Sequence, residues 1–441
     1  MWRNWRSWSL LALSLAQATC FILASEKSNE VQLAAVLIAA CLGAITLLWI
    51  VSEREFEQLP LAFVFLAALL LRLIAAQASP LLEDDHYRYL WDGMRMVSGF
   101  DPYRHAPAFY FSATELTESW HAILSGINNP HLPTIYGPAL QWLFALAYVI
   151  APGKIGALQA LLIGIDLACL LTLLKAGVNT RWLLVYALHP LILKEGIASA
   201  HPDGLLGLFL LLAFIALRHR YSVFAGLLLG AAVATKISAV VVLVLLPWFS
   251  APMRRIALGF VLSLMLLYGP FLLNSGSDFF SLSVFAQSWR FNPLIFRFVE
   301  LISNASLARP IGGLCVICLV FVMAWNANRT RQSPWQYWDL AVLALLSFSP
   351  VVNPWYWLWV LPLAILSKRI TVPTMALVTS LAYLNSAVLS NAPDFYVGWP
   401  ITLVQVVVLV GCFAYDISKT KVDSAHLFEA NLITRRFEDE R

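Results

Sequence analysis

The sequence predicts an all-α polytopic membrane protein with about 12–14 transmembrane helices and an amphipathic helix in the first large external loop. Three observations predict it. The 441 residues are 60% hydrophobic and only 12% charged, with a mean hydropathy of +0.75, outside the balance of a soluble globular domain. Apolar runs at 30–51, 59–77, 155–174 and 256–273 each approach the roughly 20 residues that an α-helix needs to cross about 30 Å of hydrocarbon. A single dense polar stretch, "LLEDDHYRYLWDGMRMVSGFDPYRHAP" at 81–107, follows the third apolar run. Backbone amides in lipid need internal partners, so the spans are helices; the alternating short strands of a barrel do not occur.

Arg3 and Arg6 predict a cytoplasmic N-terminus by the positive-inside rule. The N-terminus resembles a signal peptide, but further spans follow without a clear cleavage site, so an uncleaved first helix is expected. Crossings near 9–24, 30–51 and 59–77 then carry the polar stretch outside. From the other end, the basic loops holding Arg329, Arg331, Lys368 and Arg369 alternate with polar loops at 274–310 and 390–398. Two parsings fit the middle. One has five spans between 136 and 249. The other makes 136–152 non-crossing or re-entrant, breaks 222–249 into two short helices around Lys236, and puts "KEGIASAHPDG" (194–204) outside. The second obeys the basic residues better and is preferred. Helices of about 13 residues reach only ~20 Å and must line a protein cavity, where binding sites form.

This gives N-terminal spans over 1–52, a main module over 53–310 with external loops 78–135 and 274–310, C-terminal spans over 311–417 and a cytoplasmic tail over 418–441. The C-terminal spans are expected to be the less functional half. Basic residues are scattered and form no nucleic-acid footprint. The six cysteines lie in apolar runs and imply no disulfide framework. Cys315 and Cys318 lack companions for a metal.

Within the polar stretch, Asp84 to Met96 fits a helix stopped by Gly99 and Pro102. Tyr87, Leu90, Trp91 and Met94 form an apolar stripe, while Asp84, Arg88, Asp92 and Arg95 alternate in sign on another face. That pattern reads as a helix lying in the membrane interface with its charges paired along the solvated side. Asp84 and Asp85 resist so bland a reading, because adjacent carboxylates repel. With Glu83 they form an acidic cluster able to take a proton from a hydroxyl or to hold a divalent metal.

"EDDHYRYLWDG" and "GFDPYRHAP" resemble the first external loop of the GT-C superfamily of polyprenyl-phosphate-sugar-dependent glycosyltransferases, most closely its bacterial mannosyltransferase-like members. Further segments are similar in order: "YGP" (136–138), "HPLILKEGIASAHPDG" ending at His201 and Asp203, "GAAVATKIS" with Lys236, "FAQSWRFNPLIFRFVE" (285–300) and "SPVVNPWYWLWVLPL" (349–363). The similarity covers roughly 60–365. The first two helices have no counterpart role in it, and Phe100 and Asp101 stand where the family often has an Asn.

The resemblance implies a GT-C-like catalytic module and a hexosyltransferase, with mannose as the sugar. The donor would be a polyprenyl-phosphate sugar and the acceptor an extracytoplasmic glycan or lipid-linked glycan. Transfer would occur with inversion, on the outer side of a bacterial inner membrane. Asp84 is then the first choice for general base and Asp85 the second, and either or both are the candidates for a divalent metal, Mg or Mn; no other cofactor is implied. His86, Tyr87, Arg88, Tyr103, His201, Asp203, Lys236, Arg290, Asn292, Trp355 and Tyr356 are the substrate-binding candidates. The chemistry needs a base for the acceptor hydroxyl and positive charge on the leaving phosphate, for which Lys236, Arg290 and Lys194 qualify. Structural alternatives stand beside these roles: Lys194 pairs with Glu195, Arg290 snorkels, Lys236 in apolar sequence needs a partner of its own, and Asp203 caps a helix. Asp166, within a span, is expected to be a buried structural partner. The rival readings are a transporter or flippase of lipid-linked sugars, which also uses broken helices, and a noncatalytic partner in a membrane complex.

Overall fold

The computed structural model describes residues 2–439 except 247–251, 275, 331–333, 386, 387 and 390–395. Arg331, most of the expected loop at 390–398 and the last two residues of the tail therefore lie outside the described residues. The described residues form helices and no strand, with only isolated bridges at Phe291–Val351 and Asn385–Val397. Among the described residues, six helices are long and apolar enough to cross a membrane: Trp5–Ala24, Asn29–Ser52, Ile155–Lys175, Met253–Leu272, Ser306–Thr330 and Trp399–Lys419. Seven shorter apolar helices accompany them. The chain is a polytopic all-α membrane protein.

The first three helices are α1 (Trp2–Ala24), α2 (Asn29–Ser52) and α3 (Leu61–Ala75). Arg6 near the start of α1 pairs with Glu53 and Glu55 just past the end of α2. At the opposite end, Leu82 N–H donates to Gln32 Oε1 and Ser79 to Glu26. Three traverses thus bring residues 79–82 to the end of the bundle remote from Arg6.

Helix α4 (Asp85–Val97) follows with Asp84 as its N-cap residue. It ends where expected, with Gly99 in the left-handed region at φ +79° and Phe100 N–H closing back on Arg95 O. Its surroundings differ from the expectation. The apolar stripe does not lie in the membrane interface: Trp91 and Met94 are buried with Leu124 and Ile127 in a small satellite core. That core is shared with α5 (Glu118–Ser125). Of the charged face, Arg88, Asp92 and Arg95 are buried too. Arg88 Nη2 donates to the carbonyls of Asn129 and Leu132, Gln141 donates to Asp92, and Arg95 donates to the Tyr110 hydroxyl and stacks on Phe100. The expected i,i+4 pairs give way because buried polar groups take whichever partners enclose them, here the loop that wraps back over the helix.

The other wall of α4 is α6 (Pro138–Ile150). A Cβ on Gly93 would meet Phe144 O at 2.4 Å, so only glycine permits this approach. Tyr148 near the end of α6 joins the satellite core, and Gly153 just beyond it lies beside Trp120 and Ile123. The C-terminal end of α6 therefore packs against α5 in the segment that wraps α4.

Helix α7 (Ile155–Lys175) leads across, and α8 (Thr180–Ala187) returns through the π-helix Ile192–Ala198. Asp166 of α7 is held by Arg72 of α3 at 2.5 Å and by the Tyr186 hydroxyl at 2.8 Å, the buried structural role expected of it. Helices α9 (Gly204–Arg218) and α10 (Ser222–Thr235) form a hairpin over a three-residue turn. This returns Lys236 to the same end as Asp203. The helix breaks there: Lys236 has an extended backbone (φ −148°, ψ 133°) and a short 3-10 turn follows. Close approach at Gly226 and Gly259 packs α10 on Met253–Leu272. The expected external loop 274–310 contains helices Phe279–Ser288 and Phe296–Ile302 and ends early, since the helix Ala305–Thr330 has already begun.

Candidate active site

The π-helix carries Lys194 and Glu195 on adjacent positions, and such wide turns frequently mark functional sites. It closes with Ala200 in the left-handed region, φ +56°. A non-glycine residue in that region stores strain. The turn folds His201 back so that its N–H donates to Glu195 O at 2.9 Å. The imidazole, fully buried, then lies between two carboxylates: Nδ1 is 3.2 Å from Glu195 Oε2, and Nε2 is 3.8 Å from Asp85 Oδ2.

Asp84 and Asp85 stand together at the start of α4. The Asn128 amide donates to both, at 2.5 Å and 2.9 Å. They are not equivalent. Asp84 is exposed, whereas Asp85 is partly buried. Although open to solvent on one side, the Asp84 carboxyl is raised above its ordinary range, first by the protein crowding it and then by the Asp85 charge. Burial pushes Asp85 the same way, but His201 and Asn128 outweigh it and hold it near 2. His201, in the loop between two helices, is opposed by burial yet lifted to about 9 by Asp85 and Glu195. Of the two carboxyls, Asp84 is the more exposed and the more readily protonated, and Asp85 is the one held as an anion.

The motif Pro-Trp-Tyr extends the site. The Trp355 ring stacks on His201 at 3.9 Å, and Tyr356 stacks on Trp359 at 4.2 Å. Lys236 Nζ lies over both of the latter rings, 4.7 and 5.0 Å from their centres, and 2.7 Å from Asp203 Oδ1. Trp359 Nε1 donates to the same oxygen. Contacts thus run unbroken from Asp85 through His201 and the aromatic residues to Lys236.

Of the substrate-binding candidates, His201, Asp203, Lys236, Trp355 and Tyr356 join this chain. His86 borders it, its ring tilted against Tyr87 at 4.0 Å, and burial depresses its ring to about 4. Four others are spent on the protein itself. Arg88 is committed to loop carbonyls, and Tyr103 donates to Tyr136 O. Arg290 pairs with Glu300 at 2.6 Å. Asn292 is buried with its amide on Val352 O. Lys194, weighed for the phosphate, is buried and paired with Glu195 at 3.0 Å. Sequence reasoning missed Tyr383, Asn128 and Trp359 as neighbours of the site. Trp359 had a signal in its tryptophan-rich motif; Tyr383 and Asn128 had none. Among the described residues, no group of three or more His, Cys, Asp or Glu side chains could hold a metal ion.

A family profile described as alpha-(1->6)-mannopyranosyltransferase, N-terminal domain, matches residues 7–252, more than half of the chain. The chain belongs to the MptA/B family. A second profile, the MptB C-terminal domain, matches residues 300–415. No curated protein and no solved structure matches the chain. The protein is accordingly a mannosyltransferase, and the matched N-terminal domain includes α1 and α2, which the resemblance in the first loop left without a role.

Proposed function

We propose that this mannosyltransferase takes mannose from a polyprenyl-phosphate donor on the extracytoplasmic face and passes it to a hydroxyl of a glycan or lipid-linked glycan by one inverting displacement, with Asp84 as general base. The acceptor oxygen bonds to the anomeric carbon as its proton passes to Asp84. The bond from that carbon to the phosphate oxygen breaks, and the phosphate leaves with the electron pair. The Lys236 ammonium meets the charge that develops there. Asp85 is the weaker choice for the base because its charge is already committed to His201. The aromatic faces of Trp355 and Tyr356 offer the sugar a flat apolar support.

The observation that carries this reading is the difference in openness and basicity between two adjacent aspartates at one end of a contact chain that finishes on a lysine. The family description names an alpha-(1->6) linkage. One displacement that forms an α product requires a β-linked donor, so the reading also selects the donor anomer. The reading assigns no step to a divalent metal.

The test is sugar transfer by purified wild type, Asp84→Asn and Asp85→Asn from β- and α-linked polyprenyl-phosphate-mannose. Asp84→Asn is expected to lose about 10²–10⁴-fold in kcat, the usual worth of a general base, and only the β donor should serve. Full activity in both variants would overturn the base assignment. Absence of transfer by wild type with either donor, alongside movement of the donor across vesicles, would favour the flippase.

A further inference from the structure

Behind His201 is a cluster, buried except for the half-buried Glu83, that the reaction described above does not use. Glu83 of the first loop, Lys194 and Glu195 of the π-helix, and Tyr383 from the C-terminal half meet there. The Tyr383 hydroxyl oxygen lies 2.7 Å from Glu83 Oε1 and 2.8 Å from Glu195 Oε1, and it accepts from Lys194 Nζ at 2.5 Å.

A phenol carries one proton and can donate to one carboxylate only. The other carboxyl must carry its own proton and donate to the phenol oxygen. Glu195 sits 3.0 Å from Lys194 and 3.2 Å from the His201 ring, so it is the member held as an anion. Glu83 is left as the neutral acid. The charged groups facing Glu83 are Lys194, Glu195 and His201 from the π-helix and its following loop, with Asp85 on its own segment; burial dominates them and lifts Glu83 to about 8. The bonds then run one way, from the Glu83 carboxyl to the Tyr383 oxygen and from the Tyr383 proton to Glu195.

We propose that Tyr383 and Glu195 are positioning residues of this active site, which latch the first external loop through a neutral Glu83 and so fix the Asp84–Asp85 pair against His201. The inference rests on the reading of Asp84 as the base. Glu83 and Tyr383 are 300 residues apart, so the latch ties the start of α4 to the C-terminal half. Without it, the backbone leading into Asp84 rests on Leu82, itself in the left-handed region at φ +58°, and on its single bond to Gln32. Misplacement of a reacting group by about 1 Å costs up to ~10²-fold in rate.

The test compares neutral and apolar replacements at both acids in the same transfer assay. Glu83→Ala should lower kcat by about 10- to 100-fold at unchanged donor KM, and Glu83→Gln should restore most of it, because an amide N–H donates to Tyr383 as the acid does. Glu195→Gln should stay as poor as Glu195→Ala, because the anion is what Lys194 and His201 require. Infrared difference spectra of wild type minus Glu83→Gln at neutral pH should show the loss of one protonated-carboxyl stretch, a reading independent of activity and of whether the alanine variant folds. Glu83→Gln as poor as Glu83→Ala, or a difference spectrum that loses an ionised carboxylate instead, would overturn the proposal. Asp84→Asn is measured alongside: full activity there defeats the base assignment, whereas an inactive Asp84→Asn without the infrared loss defeats only the latch.

Discussion

Two lysine–carboxylate pairs among the described residues are alike in chemistry and opposite in setting. Lys194 and Glu195 lie 3.0 Å apart with side chains 4% and 2% exposed; Lys236 and Asp203 lie 2.7 Å apart at 18% and 1%. The carboxylates are equally sealed, and only the lysines differ. Lys194 is enclosed by the Tyr383 ring and hydroxyl, so its ammonium has no face left for a ligand. Lys236 rests on two aromatic faces with its remaining side open. A buried pair contributes little net stability but is costly to break. An open pair on an aromatic bed keeps N–H donors for an incoming anion. In the proposed reaction, enclosure and not position beside the site selects Lys236 over Lys194 for the phosphate.

Removing one charge from the sealed pair should have the largest effect. Lys194→Met leaves Glu195 ionised and buried beside Glu83, and should cost about 3–5 kcal/mol of stability, read as a drop in the unfolding midpoint in detergent. The double variant with Glu195→Gln should recover part of that loss. A Lys194→Met protein as stable as wild type would break the comparison.

The open pair should answer in rate instead. Lys236→Met is expected to lower kcat/KM by about 10²–10³-fold, the range for losing one electrostatic donor at a developing charge. Its stability loss should be smaller than at Lys194, because Trp359 Nε1 still donates to Asp203. The reverse pattern, with a large stability loss and ordinary kinetics, would make Lys236 the structural member.

Much of this arrangement could be read in the sequence, and the remainder shows what pattern alone does not carry. The spans followed from hydropathy, the start and stop of α4 from Asp84 and Gly99, and the broken helix at Lys236 from a lysine in an apolar run. The Lys194–Glu195 pairing was legible from adjacency. The alternating charges of α4 misled, because i,i+4 spacing looks the same on a solvated face and on one buried under a loop; the carbonyls of Asn129 and Leu132 that claim Arg88 are set by how the loop folds back. Tyr383 gave no signal because it is one tyrosine in an apolar run, and its contact with Glu83, 300 residues away, is encoded by no local pattern. Trp355 was legible as a candidate from its motif, but its stacking on His201, and that of Trp359 on Tyr356, comes only from the fold.

The pH profile separates the two aspartates more finely. A general base works only when deprotonated, so kcat/KM should fall as pH drops through the base's own value. Asp84 is raised above the ordinary aspartate range, and Asp85 is held near 2. An acid limb above the usual carboxylate range, moved or removed in Asp84→Glu and kept but shifted to lower pH in Asp85→Asn, where the neighbouring charge that helps raise Asp84 is gone, identifies Asp84. A limb near 2 would hand the role to Asp85.

Chelation should have the smallest effect, which makes it a sharp test of the open end. Mg²⁺ is commonly content with one or two carboxylates and several waters, so the number of oxygens at Asp84 and Asp85 is not the objection. Charge is the objection: His201, lifted to about 9, is an imidazolium at neutral pH and already neutralises Asp85 from 3.8 Å, while the Asn128 amide turns N–H donors toward both carboxylates. A divalent cation would have to displace those donors and sit beside a fixed positive charge. Transfer in the presence of a strong chelator should therefore match the untreated rate. If the chelator abolishes transfer and added Mg²⁺ or Mn²⁺ restores it, the open aspartate is a metal ligand instead of a free base, and the contrast between the two ends of the site has to be redrawn around a cation.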